Sequence, residues 1–553
     1  MSSEATSSDE FNLADYFLHD RVAEGRGDRV AIVFGARRYT YGTVSARAHG
    51  FAASLRAHGV RQEQRVLIVL PDAPPFAWAL MGTLEAGAVV AMGNPDAPVK
   101  DLAYLLEYTR AAALVTVPRV LEALAGEVSR SPHLRAVYLA PDAGTDEDPC
   151  ADVALPSLGE LPIRALHDEV TITRPWSEPV RTRRDDVAIW LFTSGSTGHS
   201  KAAVHTHRDF AFNTERFAKG TVGIREDDVT VSIPRLFFGY ATGTNLFFPF
   251  AVGATAALFS ERPTPEALVR AIARYRPTVL TNVPTMIGKL LDHDEALRAQ
   301  GGPGLDLSCL RFCFSAGEAL PPPLLARWTA RFGVDVYDGI GSAEMFHIYV
   351  SNRPGDVVPG SLGRVVDGYE ARVLPADAEG PGAPEVPAGE VGVLWIKGDS
   401  VALGYFQDRE KSWRTFHGHW CRTGDLFRRD EGGYFWFAGR ADEMLKVSGQ
   451  WVSPIEVEEC LLEHPAVLSC ALIGVDQGGG MLSTRVYVQL RTGHTEGAPL
   501  ALALQEHVKT RLSKHKYPRE VRFVPDLPRN DRGKIDRRAL KAQVASEGGD
   551  LSQ

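Results

Sequence analysis

Cysteine is scarce, with six residues in 553 and no C-x-x-C pair, so no disulfide framework staples a chain of this length. Reduced thiols in a cytoplasmic protein are the expectation. Basic excess is lacking as well: 60 Lys and Arg stand against 69 Asp and Glu, a net charge of −9. Without clustered cations to neutralise phosphates, a nucleic-acid partner is not expected. The opening MSSEATSSDE lacks the charged-then-apolar pattern of a signal peptide. One uncharged run, 236–260, is long enough to span a bilayer, but Gly239, Gly243, Asn245, Pro249 and Gly253 interrupt it. It reads as buried strands and pocket lining, and no membrane partner is expected. What remains is ordinary globular chemistry, 44% hydrophobic and 23% charged. At roughly 150 residues per domain, the length suggests three or four domains.

From about residue 66 short apolar runs alternate with helical patterns. Strands are expected at 66–70, 89–92, 114–117, 187–192, 279–282, 310–314 and 335–337, and helices at 76–86, 101–108, 209–218 and 321–332. This β-α-β rhythm predicts buried parallel sheets with helices on both faces. After about residue 363, runs at 371–374 and 391–396 are separated by turn chemistry, which predicts a small antiparallel β-unit. After residue 439 the pattern becomes compact α+β, with helices at 454–463 and 500–513 and strands at 467–475, 485–490 and 521–524.

The segment Thr193-Ser194-Gly195-Ser196-Thr197-Gly198-His199-Ser200-Lys201 follows an apolar strand. Small hydroxyl residues and glycines let backbone N–H groups approach an anion, and Lys201 adds a point charge. The Walker A spacing is not met, because Gly195, Gly198 and Lys201 read G-x-x-G-x-x-K and alanine follows. A nucleotide phosphate remains the expected guest.

This loop resembles the signature of the adenylate-forming superfamily, which includes acyl-CoA synthetases, adenylation domains of peptide synthetases and luciferases. Further motifs recur in that family's order as far as Lys534, about 340 residues on. The resemblance implies an α/β fold: a large N-terminal domain (1–440) of two α/β layered subdomains plus a small β-unit, and a small mobile α+β lid (441–553). It implies ATP, magnesium and coenzyme A as cofactors. Thr193 to Gly198 and Lys201 would hold phosphate, and Ala316, Gly317, Glu318, Asp338, Gly339 and Ile340 would line the adenine. Glu344, in Gly339-Ile340-Gly341-Ser342-Ala343-Glu344, would hold the magnesium, a carboxylate being the ligand type that ion prefers. Ala343 stands where the family usually has threonine. Asp425, in Trp420-Cys421-Arg422-Thr423-Gly424-Asp425, would accept from the ribose hydroxyls.

The same resemblance makes Asp442 the hinge, has Arg440 contact ribose or phosphate, and has Lys446, Ser448 and Gly449 enter the site with CoA. Lys534 would bridge the acid's carboxylate and the α-phosphate; with Glu344 and Arg440 it completes the expected catalytic set. That chemistry is electrostatic and needs no protein nucleophile, so a missing Ser-His-Asp constellation is no objection. His417-x-His419 lacks further ligands at metal spacing.

Phe237-Phe238-Gly239-Tyr240 and GIGSAEMFHIYVSN look most like the benzoate–CoA ligase branch. There the positions of Phe238, Gly239, Tyr240, Ile340, Gly341 and His347 would surround an aryl ring, so the expected acid is benzoate, 2-aminobenzoate or a hydroxybenzoate. Loading of an acyl carrier protein and non-catalytic nucleotide binding stay open beside CoA ligation, and a homodimer stays open as the assembly.

Overall fold

The computed structural model describes residues 9–172, 180–194, 200–447, 450–476, 482–491, 493–529 and 535–548. Runs such as Arg65–Val69, Val89–Met92 and Ala113–Thr116 are apolar at successive positions, so they are stable only where helices cover both faces of a sheet. They pair in parallel at the centre of an eight-stranded sheet. One side of that sheet continues through Val187–Ser194 to an antiparallel partner, Ser200–Thr206. A second, nine-stranded sheet is built on the parallel strands Val229–Ser232, Thr255–Leu258, Val279–Asn282, Phe312–Ala316 and Asp335–Gly341. These are the two expected α/β layers. A five-stranded antiparallel unit includes Glu370–Leu374, Val391–Lys397, Trp420–Arg429 and Phe435–Arg440. The small C-terminal domain has a three-stranded sheet, Val467–Asp476, Leu482–Leu490 and Glu520–Phe523, with its own apolar core.

The β-α-β rhythm begins earlier than expected. A hairpin of Val30–Phe34 and Arg37–Thr40 joins the nine-stranded sheet, and the 17-residue helix Tyr41–Ala57 follows. Thr40 caps that helix by accepting from the backbone N of Thr43. It packs against Pro74–Glu85 through small residues: a Cβ on Gly82 would lie 2.5 Å from the Ala48 carbonyl oxygen.

The uncharged run 236–260 is buried as expected, but most of it is helical rather than extended. Gly239–Thr242, Gly243–Phe247 and Phe248–Val252 form successive helical turns before the strand Thr255–Leu258. Pro249 is tolerated in the first turn of its segment, where no intrahelical N–H is needed, and Gly253 ends the helix at φ 80°. Among the described residues, no helix is long and apolar enough to cross a membrane.

Candidate active site

Segments distant in sequence meet through the side chains of Lys201, His205, Glu344 and Tyr405. The strand Val187–Ser194 leads into the hydroxyl-glycine loop and Ser200–Thr206 leads out, with Thr193 opposite Lys201 in the register. Gly195, Ser196, Thr197 and Gly198 lie outside the described residues. Lys201 extends over the ring of Tyr405, with Nζ 3.4 Å from the ring centroid and 4.0 Å from Glu344 Oε1. The Tyr405 hydroxyl donates to the same Glu344 oxygen at 2.6 Å. Burial lowers the Lys201 pKa to about 8 although Glu344 pulls it upward. Burial also raises the Tyr405 phenol, with the adjacent Glu344 charge acting in the same direction.

Glu344 sits in a short 3-10 turn, Ala343–Met345, that is fixed from several sides. His205 lies between two acceptors, Asp209 Oδ2 at 2.7 Å from Nδ1 and the Ala343 carbonyl at 2.6 Å from Nε2. Ala402 N donates to the Glu344 carbonyl and Ser400 Oγ to that of Met345, both at 2.9 Å. The turn ends at Phe346, whose φ of 68° and ψ of −58° form a γ-turn, closed by His347 N donating to Met345 O at 2.9 Å. A bulky residue in that region stores about 1–3 kcal/mol of strain, which the surrounding packing must hold. The turn thus carries Glu344 on one side and His347 on the other.

His347 is 2% exposed and packs in tilted and edge-on contacts with Phe217, Tyr240 and Phe248. Its Nε2 donates to the Tyr240 carbonyl at 3.0 Å, while Nδ1 is buried without a hydrogen-bond partner. Burial lowers its pKa to about 3, so the ring is neutral and Nδ1 presents a lone pair. Glycines allow this closeness: a Cβ on Gly243 would lie 2.5 Å from His347 Cδ2, and one on Gly341 would lie 2.5 Å from the His347 carbonyl carbon and oxygen. A Cβ on Gly239 would lie nearest the Leu191 side chain, at 3.2 Å, and the Phe346 carbonyl, at 3.4 Å. Tyr240 donates to the Asn282 carbonyl at 3.3 Å. Phe238 precedes Gly239 at the start of this helical segment, and Ile340 precedes Gly341 on the strand Asp335–Gly341.

On the neighbouring strands Ala316 pairs with Gly339, which brings the two expected adenine-lining segments side by side. Gly317 adopts φ 91°, a conformation that favours glycine. The Asp338 carboxyl is buried, and burial pushes its pKa up to about 8, so at neutral pH it can donate as well as accept. Glu318 turns towards the helix Pro284–Ala299, where Thr285 donates to its Oε2 through Oγ1 at 2.7 Å.

Asp425 and Arg440 are cross-strand partners, with Arg440 Nη1 2.9 Å from Asp425 Oδ1. Arg440 Nε reaches Asp442 Oδ1 at 3.0 Å, so one guanidinium joins the expected ribose acceptor to the expected hinge. Burial works against the charge on Arg440, and Asp425 and Asp442 outweigh it, so its pKa rises. After Asp442, Leu445–Val447 and Gln450–Val452 form a hairpin that includes the Lys446 backbone. Ser448, Gly449 and Lys534 lie outside the described residues.

Tyr405, His205, Gly243 and Phe346 are site residues that the motifs did not bring forward. For His205 a local signal exists, since His205 and Asp209 are four residues apart across a capping box. Among the described residues, no group of three or more His, Cys, Asp or Glu is arranged to hold a metal unaided. A groove of about 1170 Å³ lined by His19, His49 and Glu85 is separate from the residues of this site.

The family model for the AMP-binding enzyme matches residues 19–406, and that for the AMP-binding enzyme C-terminal domain matches 456–534. Benzoate–CoA ligase of Thauera aromatica is 38% identical over 533 residues, 96% of each chain. The crystal structure of a benzoate CoA ligase from Burkholderia xenovorans LB400 superposes with a TM-score of 0.83 at 37% identity, covering 96% of this chain and 100% of that one. The anthranilate CoA ligase AuaEII, in complex with anthranoyl-AMP, gives a TM-score of 0.86 at 31% identity, covering 98% and 99%.

Proposed function

This chain belongs to the AMP-binding enzyme family, and from that premise we propose how it converts an aryl carboxylic acid into its CoA thioester. It is an AMP-forming aryl acid–CoA ligase with ATP and CoA as substrates. Loading of a carrier protein and non-catalytic nucleotide binding fall away, since CoA ligases are its relatives along the whole chain. The observation that carries the aryl substrate is the neutral, buried His347, packed against Tyr240 and Phe248, with Gly243 and Gly341 letting its ring and backbone lie close.

In the proposed mechanism the acid enters the slot of Phe238, Gly239, Tyr240, Ile340, Gly341 and His347, with its carboxylate directed at the nucleotide. The nucleotide lies along Ala316, Gly317, Glu318, Asp338, Gly339 and Ile340, with Asp425 accepting from the ribose. Thr193 to Gly198 and Lys201 surround the phosphates. A carboxylate oxygen attacks the α-phosphorus, the bond to the bridging oxygen breaks, and pyrophosphate leaves with its electron pair. Lys534 and Arg440 stabilise the charge that develops. Glu344 would be the carboxylate to hold magnesium, with phosphate and water oxygens completing its ligands, while Lys201, 4.0 Å from that carboxylate, would face the phosphates. When bound, the ion would neutralise phosphate charge.

The second step needs a different orientation of the C-terminal domain. We place the boundary after Arg440, with Asp442 as pivot. Rotation there withdraws Lys534 and brings in Lys446, Ser448 and Gly449 beside CoA. The thiolate attacks the acyl carbon and AMP departs. A cytoplasmic location belongs to the same reading, supported by six cysteines that are all free.

The substrate reading is tested by comparing kcat/KM for benzoate, 2-aminobenzoate, the hydroxybenzoates and a cinnamate. At least one benzoate-type acid is expected to exceed acetate by a thousandfold or more, whereas equal use of short aliphatic acids would contradict the aryl slot. Lys201 offers a second test. Near pH 7 it is charged with or without ATP, but near pH 9 the free enzyme has lost that proton and the triphosphate restores it. ATP binding at pH 9 is therefore expected to take up a proton, in part, through Lys201. Calorimetry in two buffers of different ionisation enthalpy reads this directly. The uptake should vanish in Lys201→Met.

A further inference from the structure

Two contacts join the C-terminal domain to one helix of the large domain. Arg529 Nη1 lies 3.7 Å from Glu318 Oε1 and 3.4 Å from Thr285 Oγ1. Thr285 itself donates to Glu318 Oε2 through Oγ1 at 2.7 Å and through its backbone N at 3.3 Å, so the acceptor is held before the guanidinium arrives. Arg491 Nη1 lies 3.4 Å from Asp292 Oδ1, an oxygen that Arg327 Nη2 reaches at 3.1 Å. Thr285 and Asp292 both lie on the helix Pro284–Ala299, seven residues or about two turns apart, and so share a face. Two arginines well separated along the C-terminal domain thus meet one helix face.

Arg529 has a further significance from its place in the chain. It forms an isolated antiparallel bridge with Ile535, and Asp536 N donates to the Pro528 carbonyl at 2.7 Å. The chain therefore enters and leaves the segment containing Lys534 through a closed neck with Arg529 at its base. At the other end of the contact, Glu318 is two residues from Ala316, which pairs with Gly339 in the nucleotide-lining strand. One ion pair and one hydrogen bond tie the neck of the lysine segment to the edge of the nucleotide site.

We propose that Arg529, docked on Glu318 and Thr285, is the positioning residue that selects the adenylation orientation of the C-terminal domain, with Arg491 on Asp292 as a second point of contact. The proposal rests on the two-orientation reading given above. An ion pair with side chains 21% and 22% exposed shifts such an equilibrium by a few-fold, whereas a like charge placed against Glu318 shifts it further.

The test separates the half-reactions in the full-length enzyme. Aryl-acid-dependent exchange of pyrophosphate into ATP reads adenylation, and the reaction of pre-formed benzoyl-AMP with CoA reads the second step. Arg529→Ala is expected to slow exchange about three- to fivefold, and Arg529→Glu about tenfold or more. Both should leave the thioester step within about twofold of wild type, and Arg529→Lys should recover at least half of the lost exchange. Exchange unaltered in Arg529→Glu would overturn the proposal. So would an equal fall in both half-reactions, which marks a merely structural role. Wild-type enzyme that exchanges pyrophosphate with no aryl acid would instead overturn the function on which the proposal rests.

Discussion

Replacing Lys534 by alanine is expected to lower acid-dependent exchange of pyrophosphate into ATP by about 100- to 1000-fold, the usual loss when one preorganised electrostatic group is removed from a developing charge. In the first transition state negative charge spreads over the α-phosphoryl oxygens and the departing pyrophosphate. Lys201, with its pKa already lowered to about 8 by burial, shares its field with Glu344 and cannot supply that charge alone. Thioester formation from pre-formed acyl-AMP should stay within about threefold of wild type, because that step proceeds with the lysine withdrawn. Quenched-flow assays of the two half-reactions give both numbers. A Lys534→Ala enzyme with normal exchange would remove the lysine from the mechanism.

The second large effect is expected at Gly341. Alanine there would place Cβ 2.5 Å from the His347 carbonyl carbon and oxygen and 2.7 Å from Ile348 N. These are backbone atoms, and Gly341 and Ile348 are register partners in the antiparallel pairing at the end of the strand Asp335–Gly341. Nothing in that contact can rotate away. The strand must shift and carry with it the γ-turn at Phe346 and the ring of His347. A loss of about 100-fold or more in kcat/KM for the aryl acid is expected, with a destabilisation of about 1–3 kcal/mol typical of overpacking. Thermal unfolding with and without ATP separates the two effects. Gly239→Ala is the control, since its Cβ would meet the movable Leu191 side chain, and it should change the preference among ring substituents more than the overall rate. Unaltered kinetics for Gly341→Ala would mean that the ring does not lie against this strand.

Much of the fold is legible because buried parallel strands advertise themselves. The runs around Val66, Val89 and Ala113 are apolar at successive positions, and the structure places each of them inside a sheet. The run 236–260 is less legible for the same reason: it is buried on every side, so it shows neither a helical nor a strand period. Its helical character depends on tertiary contacts, such as Asn245 Oδ1 accepting from Thr230 Oγ1 at 2.7 Å. The site divides in a similar way. Glycine and acidic motifs can be read locally because a phosphate, a ribose or a close backbone approach requires those residue types at those spacings. The groups that hold them in place cannot. Tyr405 reaches Glu344 across 61 residues and His205 reaches Ala343 across 138, so no local pattern records either pairing. Gly243 is similar, because its need for a bare Cα is set by a histidine about a hundred residues later.

This enzyme joins an aryl carboxylate to CoA through an acyl-AMP, and every role above depends on that chemistry. The most direct measurement incubates the full-length protein with ATP, magnesium, CoA and benzoate or 2-aminobenzoate, and follows all products by mass spectrometry. Equal amounts of AMP, pyrophosphate and aryl-CoA are expected, with accumulation of bound aryl-AMP when CoA is withheld. ADP and orthophosphate as products, or aryl-AMP that CoA does not convert into thioester, would contradict it.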